Sequence, residues 1–499
     1  MRKSAMNPRP VLKLLLCGLL VTACCIGGSN SAAAFGLFGF GRGGGYGRPG
    51  MGAPSWRRTP PPRFGGGFAG RPPGGGGGPS RHAPIVGGGI VGGGASGGND
   101  ANNRDNNNNG RTAPPVAAGD QPLIPNEIIT AFEPDATPQA IDQFARRYDL
   151  TQLESQSFPL IGSRLYRWRV GGNRTVAGVI GALGRENIVA SVQPNYVFAL
   201  QQAAAVSAAP GDAAQYVLAE LQVDKAHQIA TGKDVLVAVI DSEIDGKHPD
   251  LDGTIVKSFD ALGGDASPHL HGTEMAGAIA SHGKLLGIAS DARILAVHAF
   301  DDNPGIAKGS SFAIDKGLQW AADNGARIIN MSFAGPQDPT LRRLLAAAYD
   351  KGIVLVAAAG NAGPQSEPLY PADDPNVIAV TATDNEDHVF KMANRGRYIA
   401  VAAPGVDILA LAPDGAYQLA TGTSIAAAHV SGIAALLLER KPSLKPSDIR
   451  AVLIATAKMP GAAVPDSDFG AGLVNAYRAV TWLDHKVPGA KDDREQAKQ

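Results

Sequence analysis

A serine in the last quarter of the chain lies where a turn meets a long apolar segment. Ser424 ends the triplet Gly422-Thr423-Ser424, and the apolar segment that follows runs to Leu438. This pattern predicts a buried helix, whose first N–H groups have no partner within the helix. The positive end of the helix dipole would then face the serine oxygen. A serine placed in this way suits nucleophilic catalysis when the chain also supplies a base and an orienting acid.

Candidate partners for this serine occur at three other boundaries of predicted elements. Asp241 directly follows an apolar strand-like run, His271 precedes a helix-like segment, and Asn361 follows a glycine at the end of another apolar run. Each feature is common on its own, and such residues usually have structural roles. The carboxyl ends of parallel strands meet at one edge of a sheet, however, so such a sheet would bring the four residues to one site.

Apolar and helical segments alternate along this part of the chain. Several apolar runs carry no polar alternation, which is typical of strands that are covered on both faces. The predicted strands are Val235 to Ile240, Arg293 to Val297, Ala326 to Asn330, Ile353 to Ala359 and Val377 to Thr381, and the helices include Phe312 to Asp323 and Leu341 to Tyr349. The order predicts an α/β fold with a doubly wound, mainly parallel sheet over residues 214–485.

The residues before this sheet have the pattern of a second, smaller domain. Residues 119–202 contain a strand, a helix, two strands, a helix and a strand in that order, and Thr137 is placed to cap a first helix that begins at Pro138. The order predicts a small ferredoxin-like α/β domain. Residues 203–213 consist mainly of Ala, Ser, Pro and Gly, so we expect an exposed linker that a protease can cut.

The N-terminus has the pattern of a secretory signal. Basic residues precede an apolar run from Leu14 to Ile26, which is shorter than a bilayer span. The three alanines before Phe35 fit ordinary signal-peptidase cleavage, whereas the residues up to Cys24 resemble a bacterial lipobox. We expect residues 1–34 to be a signal peptide of a protein that is exported across the inner membrane. It would then be secreted or associated with the cell envelope, with lipid anchoring at Cys24 as the alternative.

Composition narrows the classes of partner. Lys plus Arg (45) equals Asp plus Glu (45), so no overall field favours nucleic acid. Residues 35–118 are rich in Gly, Pro and Asn and poor in apolar side chains, which predicts a disordered linker, and residues 486–499 form a charged tail. No segment after the signal is long and apolar enough to form a transmembrane helix.

Several motifs in a fixed order make the region from about residue 214 to 480 similar to the subtilisin-like serine proteases, the subtilase family. They are Asp241-Ser242, His271-Gly272-Thr273, Gly360-Asn361 and Gly422-Thr423-Ser424. The smaller domain, with Pro194-Asn195-Tyr196 near its end, resembles the inhibitory propeptide of that family. The implied order is a signal peptide (1–34), a disordered linker (35–118), a propeptide-like domain (119–202), a processing linker (203–213), a peptidase domain (214–485) and a charged tail (486–499).

The resemblance implies a secreted serine endopeptidase that is made as a self-processing precursor and hydrolyses polypeptides through an acyl-enzyme. Ser424 would be the nucleophile, His271 the base and Asp241 the acid that orients it. Asn361 and the Ser424 backbone N–H would bind the oxyanion. Substrate would pair as an added strand with a short segment and would be cut after small or medium apolar residues. That segment consists of Ser332, Phe333 and Ala334.

Departures from the family pattern leave other functions open. Glu243 stands where glycine is usual, so its charge is expected to narrow the site or to raise the pKa of His271. The interval after His271 is shorter than in relatives with a calcium loop, so calcium has no recognisable site and no metal or cofactor is assigned. Two alternatives are a subtilisin-like binding or structural protein with impaired catalysis, and a metal enzyme with His269, His271 and Glu274 as ligands.

Overall fold

The computed structural model describes residues 121–201, 215–264, 266–301, 307–460 and 467–484. The predicted signal peptide, disordered linker, processing linker and charged tail lie outside these residues. The strands are β1 (Leu123–Phe132), β2 (Leu150–Phe158), β3 (Ser163–Val170), β4 (Val189–Leu200), β5 (Leu236–Asp241), β6 (Ile255–Asp260), β7 (Arg293–His298), β8 (Lys308–Ser310), β9 (Ile328–Met331), β10 (Phe333–Ala334), β11 (Val354–Ala358), β12 (Val377–Thr383), β13 (Ile399–Pro404), β14 (Ile408–Ala412) and β15 (Ala416–Ala420). The helices are α1 (Pro138–Arg147), α2 (Val176–Leu183), α3 (Tyr216–Glu220), α4 (Val223–His227), α5 (Leu270–Ala280), α6 (Ser311–Asp323), α7 (Pro339–Asp350), α8 (Thr423–Arg440), α9 (Pro446–Thr456) and α10 (Ala476–Trp482), with 3₁₀ turns at Pro159–Ile161 and Pro249–Leu251.

The first four strands and two helices form a small sandwich in the order β1-α1-β2-β3-α2-β4, as predicted. The strands lie side by side as β4-β1-β3-β2, and all three pairings are antiparallel. The Thr137 hydroxyl accepts a hydrogen bond from the Ala140 N–H at 3.2 Å and so caps α1. The helices bury one face of the sheet in a core that includes Ile128, Phe144, Trp168, Val179 and Leu183.

The larger sheet has seven strands in the order β13-β12-β11-β9-β5-β7-β6, and every neighbouring pair is parallel. The predicted α/β fold with a doubly wound parallel sheet is therefore confirmed. Alternate side chains of β5 enter different cores, because side chains in a strand alternate between faces. Val237 and Val239 pack with α5 and α8, whereas Ala238 and Ile240 pack with α6 and α7.

Helix α8 lies within one of these cores and is buried from Thr423 to Leu438. Apolar residues lie on every side of this helix, which is typical of a helix surrounded by protein. Gly432 lets it approach the chain near Ile288, since a Cβ at this glycine would lie 2.6 Å from the Ile288 Cβ. None of the described helices, α8 included, is long and apolar enough to cross a bilayer. The burial of α8 holds its first turn, with Ser424, at the edge of the parallel sheet.

Candidate active site

An acid and a histidine meet at the carboxyl end of β5. Asp241 is the last residue of that strand, and His271 lies in the first turn of α5. The His271 Nδ1–H donates to Asp241 Oδ1 at 2.7 Å, and both side chains are fully buried. The Ser242 N–H also donates to this oxygen, at 2.8 Å. These bonds fix the imidazole so that Nε2 is the nitrogen available for chemistry.

The second imidazole nitrogen is poised to accept a proton. His271 Nε2 is buried and has no hydrogen-bond partner among the described residues. Burial alone lowers the pKa of His271, but the charge and hydrogen bond of Asp241, together with the charge of Glu274, more than offset this effect. The pKa of His271 therefore lies above its ordinary value, which makes the neutral imidazole a stronger base.

Ser424 lies in the first turn of α8, which hydrogen bonds anchor to the sheet. The Ser332 hydroxyl donates to the Ser424 carbonyl at 3.0 Å, and the Asn330 amide donates to the Ser332 hydroxyl at 2.9 Å. The Ser424 Oγ lies 2.5 Å from the carbonyl oxygen of Gln201 and 3.1 Å from that of Ser332. The hydroxyl thus points at the peptide group of Gln201, and it lines one small cavity together with His271.

The side chain of Asn361 points at the same carbonyl group. Its Oδ1 accepts from the Thr423 N–H at 3.1 Å and from the Thr423 hydroxyl at 2.9 Å. These two donors orient the amide so that its Nδ2 donates to the Gln201 carbonyl oxygen at 2.9 Å. The Asn361 amide and the Ser424 hydroxyl therefore converge on one peptide carbonyl.

The end of β4 lies between the two short strands β8 and β10. Leu200 is opposite Phe333 and Ala199 is opposite Ala334, both in antiparallel register. The Gln201 N–H continues this ladder by donating to the Ser332 carbonyl at 3.1 Å. On the other side, β4 pairs with β8. All three residues that were predicted to bind substrate thus contact residues 199–201 of the same chain.

Glu243, which departs from the family pattern, and Glu274, which follows His271 in α5, have different surroundings. The Glu243 carboxylate lies 3.9 Å from His298 Nδ1, while its backbone carbonyl accepts from the His269 N–H at 2.8 Å. Glu274 is fully buried, and it is the charge that acts with Asp241 to raise the pKa of His271. The electrostatic effect expected from Glu243 thus belongs to Glu274. Its position three residues after His271 in a predicted helix was the available signal, because such residues share a helix face.

The three residues of the alternative metal site are engaged elsewhere. His269 Nδ1 lies 2.9 Å from the Ser242 hydroxyl, and His271 Nδ1 bonds Asp241. The Gln418 amide donates to Glu274 at 2.9 Å. Within the part of the chain that the structure describes, no group of three or more His, Cys, Asp or Glu side chains is arranged to hold a metal ion.

The shortened loop after α5 is held by a carboxylate. Asp250 Oδ2 accepts from the Leu285 N–H at 2.8 Å, and the Tyr417 hydroxyl donates to Asp250 Oδ1 at 3.2 Å. These bonds lower the pKa of Asp250 against the opposing effect of burial. The loop is therefore fastened to the body of the protein by side-chain to backbone contacts.

Sequence comparisons identify one family. Residues 232–472 match the model of the subtilase family. A thermophilic serine proteinase of Bacillus sp. (strain AK1) is 36% identical over 321 residues, which cover 62% of this chain and 76% of that protein. Thermitase of Thermoactinomyces vulgaris is 37% identical over 277 residues, which cover 54% of this chain and 96% of that protein.

A solved structure is similar over a larger part of the chain. The crystal structure of fervidolysin from Fervidobacterium pennivorans, described as a keratinolytic enzyme related to subtilisin, matches with a TM-score of 0.64 and 27% sequence identity. The match covers 73% of this chain and 62% of that chain.

Proposed function

The chain belongs to the subtilase family and is a serine endopeptidase, and we propose that Asp241, His271 and Ser424 are its catalytic residues. One observation carries this proposal: the Gln201 carbonyl oxygen lies 2.9 Å from Asn361 Nδ2 and 2.5 Å from Ser424 Oγ. A peptide carbonyl of the chain itself thus occupies the position that a substrate carbonyl would take. Buried Asp241 and His271 supply the acid and base beside it.

The proposed reaction follows from these positions. Ser424 Oγ attacks the carbonyl carbon while His271 Nε2 takes the hydroxyl proton, and Asp241 stabilises the imidazolium that forms. The negative charge on the carbonyl oxygen is stabilised by Asn361 Nδ2 and by the Ser424 backbone N–H, which lies in the first turn of α8. The C–N bond then breaks as His271 gives its proton to the leaving amine. Water, activated by the same histidine, hydrolyses the acyl-enzyme and restores Ser424.

The same geometry supports a self-processing precursor. We propose that the first bond cut is the one between Gln201 and Gln202, directly before the predicted processing linker. After the cut, the domain that ends at Gln201 would remain as an inhibitor, because β4 fills the cleft between β8 and β10. Three further contacts support this docking. They are Gln193 to Asp338 at 2.8 Å, Lys316 to Glu154 at 2.7 Å and the Phe312 N–H to Asn195 Oδ1 at 3.2 Å.

We further propose that residues 119–202 assist the folding of the peptidase domain, residues 214–485. Parallel sheets depend on contacts between distant parts of the chain and form slowly, so a docked domain that orders α6 and α7 would lower the barrier. The signal-like pattern of residues 1–34 supports export of the precursor. Secretion and lipid anchoring at Cys24 remain the two fates of the exported protein.

Intact mass spectrometry of residues 119–499 tests the triad and the cut site together. We expect the parent protein to yield one fragment that ends at Gln201 and another that begins at Gln202. The Ser424→Ala variant should stay whole, whereas Ser447→Ala, which changes an exposed serine of α9, should be cut like the parent. Cleavage of the Ser424→Ala variant at the same bond would contradict self-processing.

A peptide substrate separates an active enzyme from a binding protein with the same fold. The sequence that occupies the cleft is Phe198-Ala199-Leu200-Gln201, so a p-nitroanilide of this tetrapeptide is the matched probe. We expect release of p-nitroaniline by the processed parent and none by Ser424→Ala. The proposed self-cut follows Gln201, a polar residue, whereas the sequence predicts cleavage after apolar residues, so probes with Leu or Lys in the last position test that preference separately. A processed protein that leaves all three probes intact would favour the binding function.

A further inference from the structure

A buried glutamate shares the cavity of the proposed base and nucleophile. Glu274 is 0% exposed and lies three residues after His271 in α5, on the same face of the helix. The small cavity beside these two residues is also lined by Ser424 and Gln201. The carboxylate of Glu274 therefore lies in the water-poor environment of the reacting groups, where charges interact more strongly than in solvent.

The Glu274 side chain is held by a hydrogen bond from another element of the fold. Its Oε1 accepts a hydrogen bond from the Gln418 amide at 2.9 Å. Gln418 belongs to β15, the strand that leads through Ala420 into the turn before Ser424. The bond thus connects the helix of the proposed base with the segment that carries the proposed nucleophile. An amide donor favours the ionised carboxylate, whereas burial opposes it.

Several titratable groups surround α5, and some of them change the pKa of Glu274. Burial and, to a smaller extent, the charge of Asp241 raise the pKa of Glu274 to about 7 against the lowering effects of His271 and the Gln418 bond. Helix α8 adds His429, whose pKa burial lowers to about 4, so that it is neutral during catalysis. The titratable residues of the other neighbouring elements are Asp250 of the 3₁₀ turn, Arg293 and His298 of β7 and Tyr417 of β15, and β14 has none. Glu274 and His271 therefore act on each other's pKa as a coupled pair.

We infer that Glu274 is a positioning residue of the reaction, a second carboxylate that stabilises the proton on His271 while the imidazole carries it. The inference rests on the proposed function of His271 as the base. Asp241 binds Nδ1 directly, whereas Glu274 acts through space along the helix face. The two carboxylates together make the imidazole more basic than Asp241 alone would. Activity is therefore lost at a higher pH when the solution is acidified.

The pH dependence of kcat/KM for the tetrapeptide p-nitroanilide tests this role. In the self-processed Glu274→Gln variant we expect the acid limb to move down by about 0.5 to 1 pH unit, because the ionised form of Glu274 no longer stabilises the imidazolium. The ratio of kcat/KM near pH 6 to kcat/KM on the plateau should then be about 3- to 10-fold higher for the variant than for the parent. KM should change little, since the Glu274 carboxylate accepts its hydrogen bond from Gln418 of β15.

A second variant keeps the test valid if Glu274→Gln fails to mature. Gln418→Leu removes the amide that favours the ionised carboxylate, so the pKa of Glu274 rises further and its ionised fraction falls. Its acid limb should therefore move in the same direction. Glu243→Gln is the matched control, because that carboxylate faces His298 and the limb should stay in place.

The result that would overturn the inference is an acid limb that stays within about 0.2 pH unit of the parent in both variants. A loss of plateau activity without movement of the limb would assign Glu274 a purely structural role. Failure of the proposed function has a different signature, namely activity of Ser424→Ala towards the same probe.

Discussion

A buried carboxyl pair should make the free energy of unfolding of this protein depend on pH. Asp315 of α6 is fully buried, and neither of its carboxyl oxygens has a hydrogen-bond partner among the described residues. Burial, and then the charge of buried Asp338, raise the pKa of Asp315 well above its ordinary value. The pair lies beneath β4, because Asp338 bonds Gln193 and the neighbouring Ser311 hydroxyl accepts from the Tyr196 N–H. We predict that Asp315→Asn removes most of this pH dependence.

The sign and size of this pH dependence follow from proton linkage. The folded protein keeps a proton on Asp315 that the unfolded chain releases above a pH of about 4. The contribution of this residue is therefore most favourable below that pH and is lost as the pH rises towards the raised pKa of the folded state. The loss is about 1.4 kcal/mol per pH unit for one proton. As the pH rises from 5 to 7, the free energy of unfolding of Asp315→Asn should thus increase by up to about 2.7 kcal/mol relative to that of the parent. Coupled titration with Asp338 makes this figure an upper limit.

Urea unfolding of residues 119–499 at pH 5, 6 and 7 measures this difference. Both proteins carry Ser424→Ala, which prevents the proposed self-cleavage. The constant cost of a buried amide affects all three pH values equally, so the slope isolates the ionisation. Asp323→Asn, at the exposed end of the same helix, is the control and should follow the parent. Parallel stability curves for Asp315→Asn and the parent would refute the buried proton.

Four further outcomes are expected. Asn361→Leu should lower kcat about a hundred- to a thousand-fold with little change in KM, the range known for loss of this donor in subtilisin. Because the pKa of His271 is raised, kcat/KM of the parent should begin to fall above pH 6.5 as the solution is acidified, and a profile that stays flat down to pH 5 would argue against a histidine base. Asp250→Ala should lower the free energy of unfolding by about 1.5 to 3 kcal/mol at pH 7 in urea titrations. That difference should shrink as the pH falls through the lowered pKa of this carboxyl, and a constant difference would contradict the hydrogen-bonded carboxylate. Gly432→Ala should cost about 1 to 3 kcal/mol in the same titrations, because its Cβ would lie 2.6 Å from the Ile288 Cβ, and an unchanged midpoint would show that the helix can shift.

Local patterns in the sequence were sufficient to predict most helices and strands of the fold. Strand β5 was predicted to end next to Asp241 because a continuous apolar run stops there, and the strand includes that residue. Helix α8 was predicted from Ile425 to Leu438 and extends from Thr423 to Arg440, since the residues added at each end are polar or charged. The hairpin of β14 and β15 was missed, although Pro413-Asp414-Gly415 between the strands is a strong turn signal.

The sequence by itself determined the fold class, the family and the candidate catalytic groups, because these depend on short motifs and on the period of apolar residues. Contacts between distant residues were decided only by the tertiary structure. Gln201 meets Ser424 across 223 positions, Glu274 meets Gln418 across 144, and Gln193 meets Asp338 across 145. No local pattern encodes such pairs, since they arise when separate elements pack and exclude water. Such contacts place the Gln201 peptide group against Ser424 and the second carboxylate near His271. They also place the buried acids beneath β4.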